Sequence, residues 1–327
     1  MKALVTGATG FLGQHLTRRL VDEGVEVKAT GRNVAIGREL ETYGATFVGA
    51  DLTDGRQVRA VARDIDVIFH TAAQSSVWGS YESFQAANVS ATRWLLDAAM
   101  EQGDPRFIYV SSPTIYVDGS HRRDVRENDV LPGRAVNHYA TTKRVAEGLV
   151  ASAATRGLVT YTIRPRAIFG EGDTAIFARL VRANAHGGIP FIDGGQALQD
   201  ITYVDNVVEA LLCCANAPQS SGDHVYNITN GDPRPIGAIL TTLFAKLERP
   251  LRRRDVPYPV AYALASLTEC SAKLCDAGEP TLTRYGVIAL GRDMTLDIAR
   301  ARTELGYAPT IGIDEGLERL ARWSKRH

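Results

Sequence analysis

Residues 3–13 read Ala-Leu-Val-Thr-Gly-Ala-Thr-Gly-Phe-Leu-Gly, and this stretch decides the fold. Its apolar start predicts a short buried strand, and a Gly-x-x-Gly-x-x-Gly turn follows that strand directly. Leucine then recurs at every fourth position, which predicts a helix that ends at Gly24. A glycine-rich turn that opens a helix offers free backbone N–H groups to a phosphate, so the stretch predicts a dinucleotide site.

The rest of the chain continues this alternation of strand and helix. Apolar runs predict further strands at residues 25–30, 46–48, 67–69, 107–110 and 159–163, with helices at 88–100 and 139–155. Strands that are apolar along their whole length indicate a parallel sheet covered on both faces. We therefore expect an α/β, Rossmann-type doubly wound parallel sheet in a dinucleotide-binding domain over residues 1–165. Residues 166–327 are less regular and predict a smaller C-terminal substrate-binding portion, with a segment near 198–230 returning to the main domain.

The composition narrows the possible partners. The chain has 37 basic residues (Lys and Arg) and 37 acidic residues (Asp and Glu). This balanced charge does not predict the basic surface by which proteins bind nucleic acid. The four cysteines contain no C-x-x-C pair, so neither a metal site nor a disulfide framework is expected. No leader segment and no apolar run of roughly 18 residues is present, so we expect a cytoplasmic protein without a membrane span.

The predicted turn gives a first set of cofactor-binding residues, and the end of the second strand bears on the choice of cofactor. The turn set is Gly7, Thr9, Gly10, Phe11, Leu12 and Gly13. Sites for NAD usually place an acidic residue after the second strand, where it accepts bonds from the 2′-hydroxyl of the ribose. Here Gly31-Arg32-Asn33 stands instead. Arg32 can pair with a 2′-phosphate, which favours NADP over NAD; stacking of Arg32 on adenine, with either cofactor accepted, remains the alternative.

Tyr139 and Lys143 are four residues apart at the start of a predicted helix, so they share one face of it. A phenol ionises near pH 10, and a neighbouring ammonium group favours the phenolate. Tyr139 can therefore exchange a proton with an alcohol or carbonyl oxygen while a hydride moves to or from the carbon. Ser112, at the end of the fifth strand, can hydrogen-bond the same oxygen.

These features together resemble the extended short-chain dehydrogenase/reductase superfamily. The likeness runs from end to end through the glycine turn, Asp51-Leu52, His70-Thr71-Ala72-Ala73, Asn88-Val89, residues 111–116, Tyr139 with Lys143, Arg164-Pro165, Tyr203-Val204-Asp205 and Leu305-Gly306-Tyr307. The resemblance implies catalysis by Ser112, Tyr139 and Lys143. It places Asp51, Leu52, Thr71, Ala72, Ala73, Tyr139, Lys143, Pro165 and Ala167 at the cofactor, and Thr114, Arg166 and Tyr203 at the substrate. It also implies a homodimer built from the helices over residues 88–100 and 139–155.

Three features bear on the branch of this superfamily. Gln199 stands where nucleotide-sugar enzymes typically carry an arginine for the diphosphate, and Arg32 fits an exchangeable NADPH. Residues 257–267 are apolar and suit a lid, a membrane contact or plain core. We therefore expect a ketone and a secondary alcohol to be interconverted, on an apolar β-keto or hydroxysteroid-like substrate, as in the 3β-hydroxysteroid dehydrogenase and 2-alkyl-3-oxoalkanoate reductase branch. The alternatives are a nucleotide-sugar 4-epimerase or 4,6-dehydratase with bound NAD and, ranked last, a non-catalytic dinucleotide sensor.

Overall fold

The computed structural model describes residues 1–103, 105–218, 222–275 and 278–326. The strands of this described part are β1 (Lys2–Thr6), β2 (Glu26–Gly31), β3 (Thr46–Gly49), β4 (Val67–His70), β5 (Arg106–Val110), β6 (Arg122–Val125), β7 (Val159–Pro165), β8 (Ile168–Phe169), β9 (Ile189–Ile192), β10 (Leu198–Gln199), β11 (Thr202–Tyr203), β12 (Gly222–Ile228), β13 (Arg234–Pro235), β14 (Arg253–Val256) and β15 (Met294–Leu296).

The helices are α1 (Phe11–Asp22), α2 (Val34–Thr42), α3 (Gly55–Val61), α4 (Tyr81–Phe84), α5 (Ala91–Glu101), α6 (His138–Thr155), α7 (Ile176–Ala185), α8 (Val204–Asn216), α9 (Ile236–Lys246), α10 (Tyr258–Leu274), α11 (Arg284–Gly291), α12 (Ala299–Leu305) and α13 (Ile313–Arg326). A π-helical turn over Gln85–Ser90 leads into α5, and 3-10 turns lie at Pro113–Tyr116 and Asp193–Gly195. The sequence analysis did not predict α2 or α3, although Asn33 and Asp54 cap them with their side chains.

Seven strands form the main sheet in the order β12-β7-β5-β4-β1-β2-β3, and every pair in it is parallel. The predicted doubly wound parallel sheet is therefore confirmed. Strand order reverses between β1 and β4, and in such sheets ligands bind beyond the carboxyl ends of the strands at this reversal. The seventh strand, β12, comes from the segment that was expected to return to the main domain, as does α8.

Both faces of the main sheet are covered by apolar side chains, as continuous apolar strands require. In β1, Ala3 and Val5 belong to the core cluster shared with α1 and α8, whereas Leu4 belongs to the cluster beneath α3, α5 and α6. All three side chains are fully buried. This two-sided core fixes the positions of the strand ends, where the candidate site lies.

The C-terminal portion holds a smaller four-stranded sheet in the order β13-β10-β15-β6. Its β10–β13 pair is antiparallel, and its other two pairs are parallel. Because β6 comes from the first half of the chain and pairs with β15, this sheet contains strands from both halves. Helix α11 precedes β15 and brings Tyr285 and Arg292 toward the main sheet's strand ends.

The apolar stretch over residues 257–267 lies mostly in α10. Ala261 and Ala265 are buried against a satellite core cluster, whereas Val260, Leu264 and Leu267 are half or more exposed. One face of the helix is thus plain core, and the opposite face presents apolar side chains to solvent. Across the residues that the structure describes, no helix is both long and apolar enough to cross a membrane.

Candidate active site

The glycine turn packs too closely for side chains. Gly7 has a φ of +67°, and a Cβ on it would lie 2.7 Å from the Ala72 Cα. A Cβ on Gly13 would lie 2.1 Å from the Gly7 carbonyl oxygen. Gly10 starts α1 without a side-chain cap, and no acidic residue stands in the first turn of the helix. The start of α1 therefore keeps its positive dipole end uncompensated, which suits a pyrophosphate.

The other members of the predicted turn set have different surroundings. The Leu12 side chain is buried in the main core, so only its backbone is available to a ligand. Phe11 is half-buried and makes an edge contact with the His15 ring. The Thr9 side chain fills the space beside Gly31, because a Cβ on Gly31 would lie 2.4 Å from the Thr9 Oγ1. The turn is thus pressed against the end of β2.

The loop after β4 closes the other side of the turn. The Thr71 hydroxyl donates to the Thr6 carbonyl at 2.7 Å, and Ala72 contacts Gly7. His70 is fully buried between the hydroxyls of Thr6 and Thr92, and burial lowers its pKa to about 3. This neutral histidine holds the loop in place and leaves Ala72 and the exposed Ala73 beside the turn.

The ribose end of the site is basic and crowded. Because Gly31 is pressed against Thr9, no acidic side chain could replace it without a shift. The Asn33 side-chain Oδ1 accepts from the Ala35 N–H and the Ile36 N–H at the start of α2. Arg32 is exposed and makes no ion pair with any described side chain. It is therefore the cation available at the end of β2.

Asp51 and Leu52 follow β3. The Asp51 carboxylate accepts from the Thr53 N–H and hydroxyl, both at 2.9 Å, and these bonds lower its pKa. Arg32 contributes to the same shift through its charge. Leu52 is half-buried against the core beneath α3. The cofactor contact expected of Asp51 stays a prediction.

Ser112 begins a chain of hydroxyl groups at the end of β5. Its Oγ lies 2.9 Å from the Thr114 Oγ1, and the Thr114 Oγ1 lies 3.3 Å from the Tyr285 hydroxyl. Ser112 and Thr114 are buried. Tyr285 comes from α11, and its sequence context carries no motif, which is why sequence analysis did not single it out.

Tyr139 and Lys143 lie on α6 beside this chain of hydroxyls. Burial raises the pKa of the Tyr139 phenol to about 12, and a hydrogen bond with Ser112 acts in the opposite direction. Lys143 is 1% exposed, donates from Nζ to the Val110 carbonyl at 2.7 Å, and lies over the Tyr109 ring. Burial lowers the pKa of Lys143 to about 7. The protein's own groups thus keep Tyr139 protonated, contrary to the expected phenolate, because desolvation of the phenol outweighs the other effects.

The end of β7 carries the residues that were expected beside nicotinamide and substrate. Pro165 and Arg166 are buried, and Ala167 has a φ of +42°, a strained conformation for a residue with a side chain. The Arg166 Nη2 donates to the Gln199 Oε1 at 2.6 Å. Gln199 in turn donates to the Arg292 carbonyl at 2.6 Å.

Tyr203 has a different environment from Ser112 and Tyr139. It is 1% exposed in the main core, makes an edge contact with Phe169, and donates its hydroxyl to Glu171 at 2.5 Å. The substrate contact expected for Tyr203 stays a prediction that these contacts do not favour.

The strand-end glycine turn, with Ser112, Tyr139 and Lys143 at the same edge of the sheet, defines an oxidoreductase of the short-chain dehydrogenase/reductase type. A family model described as the NAD dependent epimerase/dehydratase family matches residues 3–229. The chain belongs to this family and is an NAD(P)-dependent enzyme that acts on CH–OH groups.

Known proteins resemble the chain over almost its whole length. The uncharacterized protein YbjS of Escherichia coli (strain K12) is 41% identical, with 100% of this chain and 98% of the relative covered. A 2-alkyl-3-oxoalkanoate reductase of Stenotrophomonas maltophilia is 34% identical, with 98% of each chain covered. A farnesyl-dihydroquinoline-oxide ketoreductase of Stigmatella aurantiaca is also 34% identical, with 98% and 96% covered. Among solved structures, MoeE5 in complex with UDP-glucuronic acid and NAD is 26% identical with a TM-score of 0.79, covering 100% of this chain and 99% of that one.

Proposed function

We propose that the protein reduces the ketone of an apolar β-keto compound to a secondary alcohol with NADPH. The observation that carries this proposal is the group of hydroxyls formed by Ser112 and Thr114, beyond the carboxyl end of β5, and by Tyr139 on α6, which hydrogen-bonds Ser112. Two relatives with 34% identity are a 3-oxoalkanoate reductase and a ketoreductase, which supports the same chemistry. The reverse oxidation uses the same groups.

Ser112, Tyr139 and Lys143 have separate roles in the proposed reaction. The Ser112 hydroxyl and the Tyr139 phenol hydrogen-bond the ketone oxygen and so stabilise the negative charge that develops on it. A bound nicotinamide supplies the hydride to the carbonyl carbon. Tyr139 then gives its proton to the oxygen, which suits a phenol whose raised pKa keeps it protonated. Lys143, whose Nζ donates to the Val110 carbonyl, would hold the ribose of a bound cofactor.

The preference for NADPH rests on the end of β2. Arg32 is exposed and has no ion pair among the described residues, so it is available for the 2′-phosphate. The charge of Arg32 contributes to the lowered pKa of Asp51, so the two groups are close. The negative charge of Asp51 in turn weakens the positive potential at the end of β2. NAD is the alternative cofactor, and the name of the family model mentions NAD.

The second candidate function is a nucleotide-sugar epimerase or dehydratase with retained NAD. It is supported by the fold shared with MoeE5, whose structure holds UDP-glucuronic acid and NAD. Gln199 argues against it, because this side chain is buried and fully engaged with Arg166 and the Arg292 carbonyl. A neutral amide in that position does not clamp a diphosphate.

The test is a paired titration and turnover assay on the purified protein. NADPH and NADH affinities are measured first, and NADPH oxidation is then followed with a panel of 3-oxo acids, ketosteroids and UDP- or dTDP-linked sugars. Tight NADPH binding and turnover of a 3-oxo acid or ketosteroid are expected. Conversion of a nucleotide sugar without net NADPH consumption would replace this proposal with the epimerase.

We also propose a homodimer that packs α5 and α6 of two copies together. In α6 the face opposite the core includes the exposed residues Val145, Gly148 and Ser152, which leave room for close helix packing. Sedimentation analysis should give twice the mass of 35.5 kDa. Val145→Glu should shift the population toward the monomer, whereas Val260→Glu, on the exposed face of α10, should not.

A further inference from the structure

His15 is the fifth residue of α1, and both nitrogens of its ring have a partner outside that helix. The Nδ1 atom lies 2.9 Å from the Asp205 Oδ1, in the first turn of α8. The Nε2 atom lies 2.8 Å from the backbone carbonyl oxygen of Glu171, in the loop between β8 and α7. A carbonyl oxygen and an ionised carboxylate only accept hydrogen bonds. Both contacts therefore form together only when His15 is an imidazolium with two N–H donors.

The loop that His15 contacts packs against the first turn of α1. A Cβ on Gly172 would lie 3.9 Å from the Phe11 ring. The Phe11 ring also makes an edge contact with the His15 ring, with 5.5 Å between the ring centroids. Phe11 is the first residue of α1, where free backbone N–H groups suit a pyrophosphate. The loop over residues 170–173 thus contacts the part of the glycine turn that a dinucleotide would approach.

The same loop starts α7. The Asp173 N–H donates to the Gly170 carbonyl at 3.2 Å, which closes the loop. The Asp173 carboxylate is buried and accepts from the backbone N–H groups of residues 175–177 at 2.8 to 3.0 Å. Because α7 belongs to the portion that was expected to bind substrate, His15 connects this portion with the cofactor helix.

Asp205 is the anionic partner of His15. The titratable and charged side chains on the elements packed around the ring are those of Asp205, Glu171, Asp173, Tyr203, Arg319 and the ion-paired Arg19 and Glu209. The Glu171 carboxylate accepts from the Tyr203 hydroxyl at 2.5 Å. Arg319 lies 3.8 Å from the Asp205 Oδ2, so the two cations take different oxygens of Asp205.

Loss of one proton from His15 breaks its contact with the loop rather than its contact with α8. A neutral imidazole has one N–H, and the Asp205 carboxylate holds that N–H more strongly than a neutral carbonyl does. The Nε2 atom then carries a lone pair and faces the Glu171 carbonyl oxygen 2.8 Å away. Two acceptors at this distance repel each other, so the loop moves away from the ring.

We propose that His15 is a positioning residue whose imidazolium form holds loop 170–173 on the glycine turn, so that tight cofactor binding requires a proton on His15. As the pH rises and His15 becomes neutral, the loop separates from Phe11 and the affinity for the cofactor falls. The inference goes beyond the proposed function, because it applies to any reaction that uses a dinucleotide in this site.

Two substitutions reproduce the two halves of the histidine contact. In His15→Gln the side-chain amide N–H reaches the place of Nε2 and donates to the Glu171 carbonyl at every pH. In His15→Asn the amide reaches only the place of Nδ1, so it keeps the Asp205 contact and lacks the loop contact. Calorimetry on the full chain measures the dissociation constant at pH 6 and pH 9 for whichever of NADP⁺ and NAD⁺ binds more tightly.

The wild type should match His15→Gln at pH 6 and bind about 3- to 10-fold more weakly than His15→Gln at pH 9, the range expected for one lost hydrogen bond. His15→Asn should bind weakly at both pH values. His186→Gln removes an exposed histidine at the end of α7 and should keep the pH dependence of the wild type. Ionisation of the cofactor itself is common to all four proteins and cancels in the comparison. Equal pH dependence in the wild type and His15→Gln would overturn the inference.

A second readout needs no cofactor and no variant that must fold. Long-range ¹H–¹⁵N NMR spectra of the wild type report which ring nitrogens of His15 carry a proton. Both nitrogens should be protonated at pH 6 and Nδ1 alone at pH 9; a neutral ring at pH 6, or Nε2 as the protonated atom at pH 9, would overturn the inference. Because no ketone is present in either experiment, failure of the proposed reduction leaves these results unaffected.

Discussion

The Asn88 side-chain amide donates to the Thr142 hydroxyl at 3.1 Å and so joins the loop after β4 to the catalytic helix. The same side chain accepts from the Gln74 N–H at 2.8 Å and donates to the Gln74 carbonyl at 3.1 Å. Asn88 is 1% exposed and lies in the π-helical turn before α5. It is a positioning residue, because it holds the cofactor loop and the Tyr139 helix in one arrangement.

Asn88→Ala should therefore destabilise the protein and slow catalysis together. It leaves the partly buried N–H and carbonyl of Gln74 without their Asn88 partner, which costs about 1–3 kcal/mol of unfolding free energy, and it removes one of the bonds to Thr142. Denaturant unfolding measures the first effect, and kcat with saturating NADPH measures the second. Gln74→Ala is the control, because among the described residues the Gln74 side chain hydrogen-bonds to Ser76 and Ser83, and its backbone is retained. Unchanged kcat in Asn88→Ala would show that the link does not position Tyr139.

The cofactor preference should depend on Arg32. Arg32→Glu replaces a cation with a carboxylate at the expected 2′-phosphate, so NADPH affinity should fall by about 10- to 100-fold while NADH affinity changes little. Fluorescence titration of both cofactors measures the ratio. Arg38→Glu alters the same charge on the exposed face of α2 and should change the ratio far less. An equal loss of NADH and NADPH affinity in Arg32→Glu would instead favour stacking of Arg32 on the adenine.

Removal of the Tyr139 hydroxyl should abolish turnover and leave cofactor binding nearly intact. General acid catalysis contributes about 10²- to 10⁴-fold, so kcat of Tyr139→Phe should fall by at least that factor. Steady-state kinetics and NADPH titration measure the two quantities. Tyr285→Phe is the matched variant, because it removes a phenol hydroxyl that lies 3.3 Å from the Thr114 hydroxyl, which in turn contacts Ser112. Full activity in Tyr139→Phe would exclude the mechanism.

The repeating part of the fold could be predicted from the sequence because local signals and tertiary packing agree there. The first six strands of the main sheet were predicted within a few residues, since each is an apolar run next to a glycine, a proline or a helix. No bounds for α2 and α3 were predicted, because both helices are short and the caps at Asn33 and Asp54 are single side chains without a long apolar repeat after them. Strand β12 lies in a segment whose pairing with β7 depends on distant residues.

In the candidate site, too, the sequence predicts some of the residues and misses others. Gly7, Ser112, Tyr139 and Lys143 follow a spacing that is visible in the chain. The contacts of Tyr285 with Thr114 and of Arg166 with Gln199 are not visible in the sequence, because they result from how α11 and β10 pack against the main sheet. The raised pKa of Tyr139 was also missed, since the sequence shows that Lys143 is near but not that Lys143 is buried or that the fold removes the Tyr139 phenol from water.

The last prediction concerns Lys143 and the pH dependence of stability. Burial lowers its pKa to about 7 in the folded protein, whereas an exposed lysine in the unfolded chain titrates near 10.5. Below pH 7 both states are charged, and the buried ammonium destabilises the fold in full. Between pH 7 and 10.5 the unfolded state binds more protons than the folded state, so this destabilisation diminishes as the pH rises.

Lys143→Met should therefore raise the unfolding free energy most near pH 6, and the gain should shrink steadily toward pH 10. Denaturant unfolding of both proteins at pH 6, 8 and 10 measures the difference. The lost bond to the Val110 carbonyl opposes the gain at every pH and does not alter its slope. Lys273→Met removes an exposed lysine side chain from α10 and is the control for the substitution itself. A difference between wild type and Lys143→Met that stays constant from pH 6 to 10 would mean that Lys143 keeps its ordinary pKa. In that case, Lys143 would remain an ammonium throughout the pH range in which Tyr139 acts as an acid.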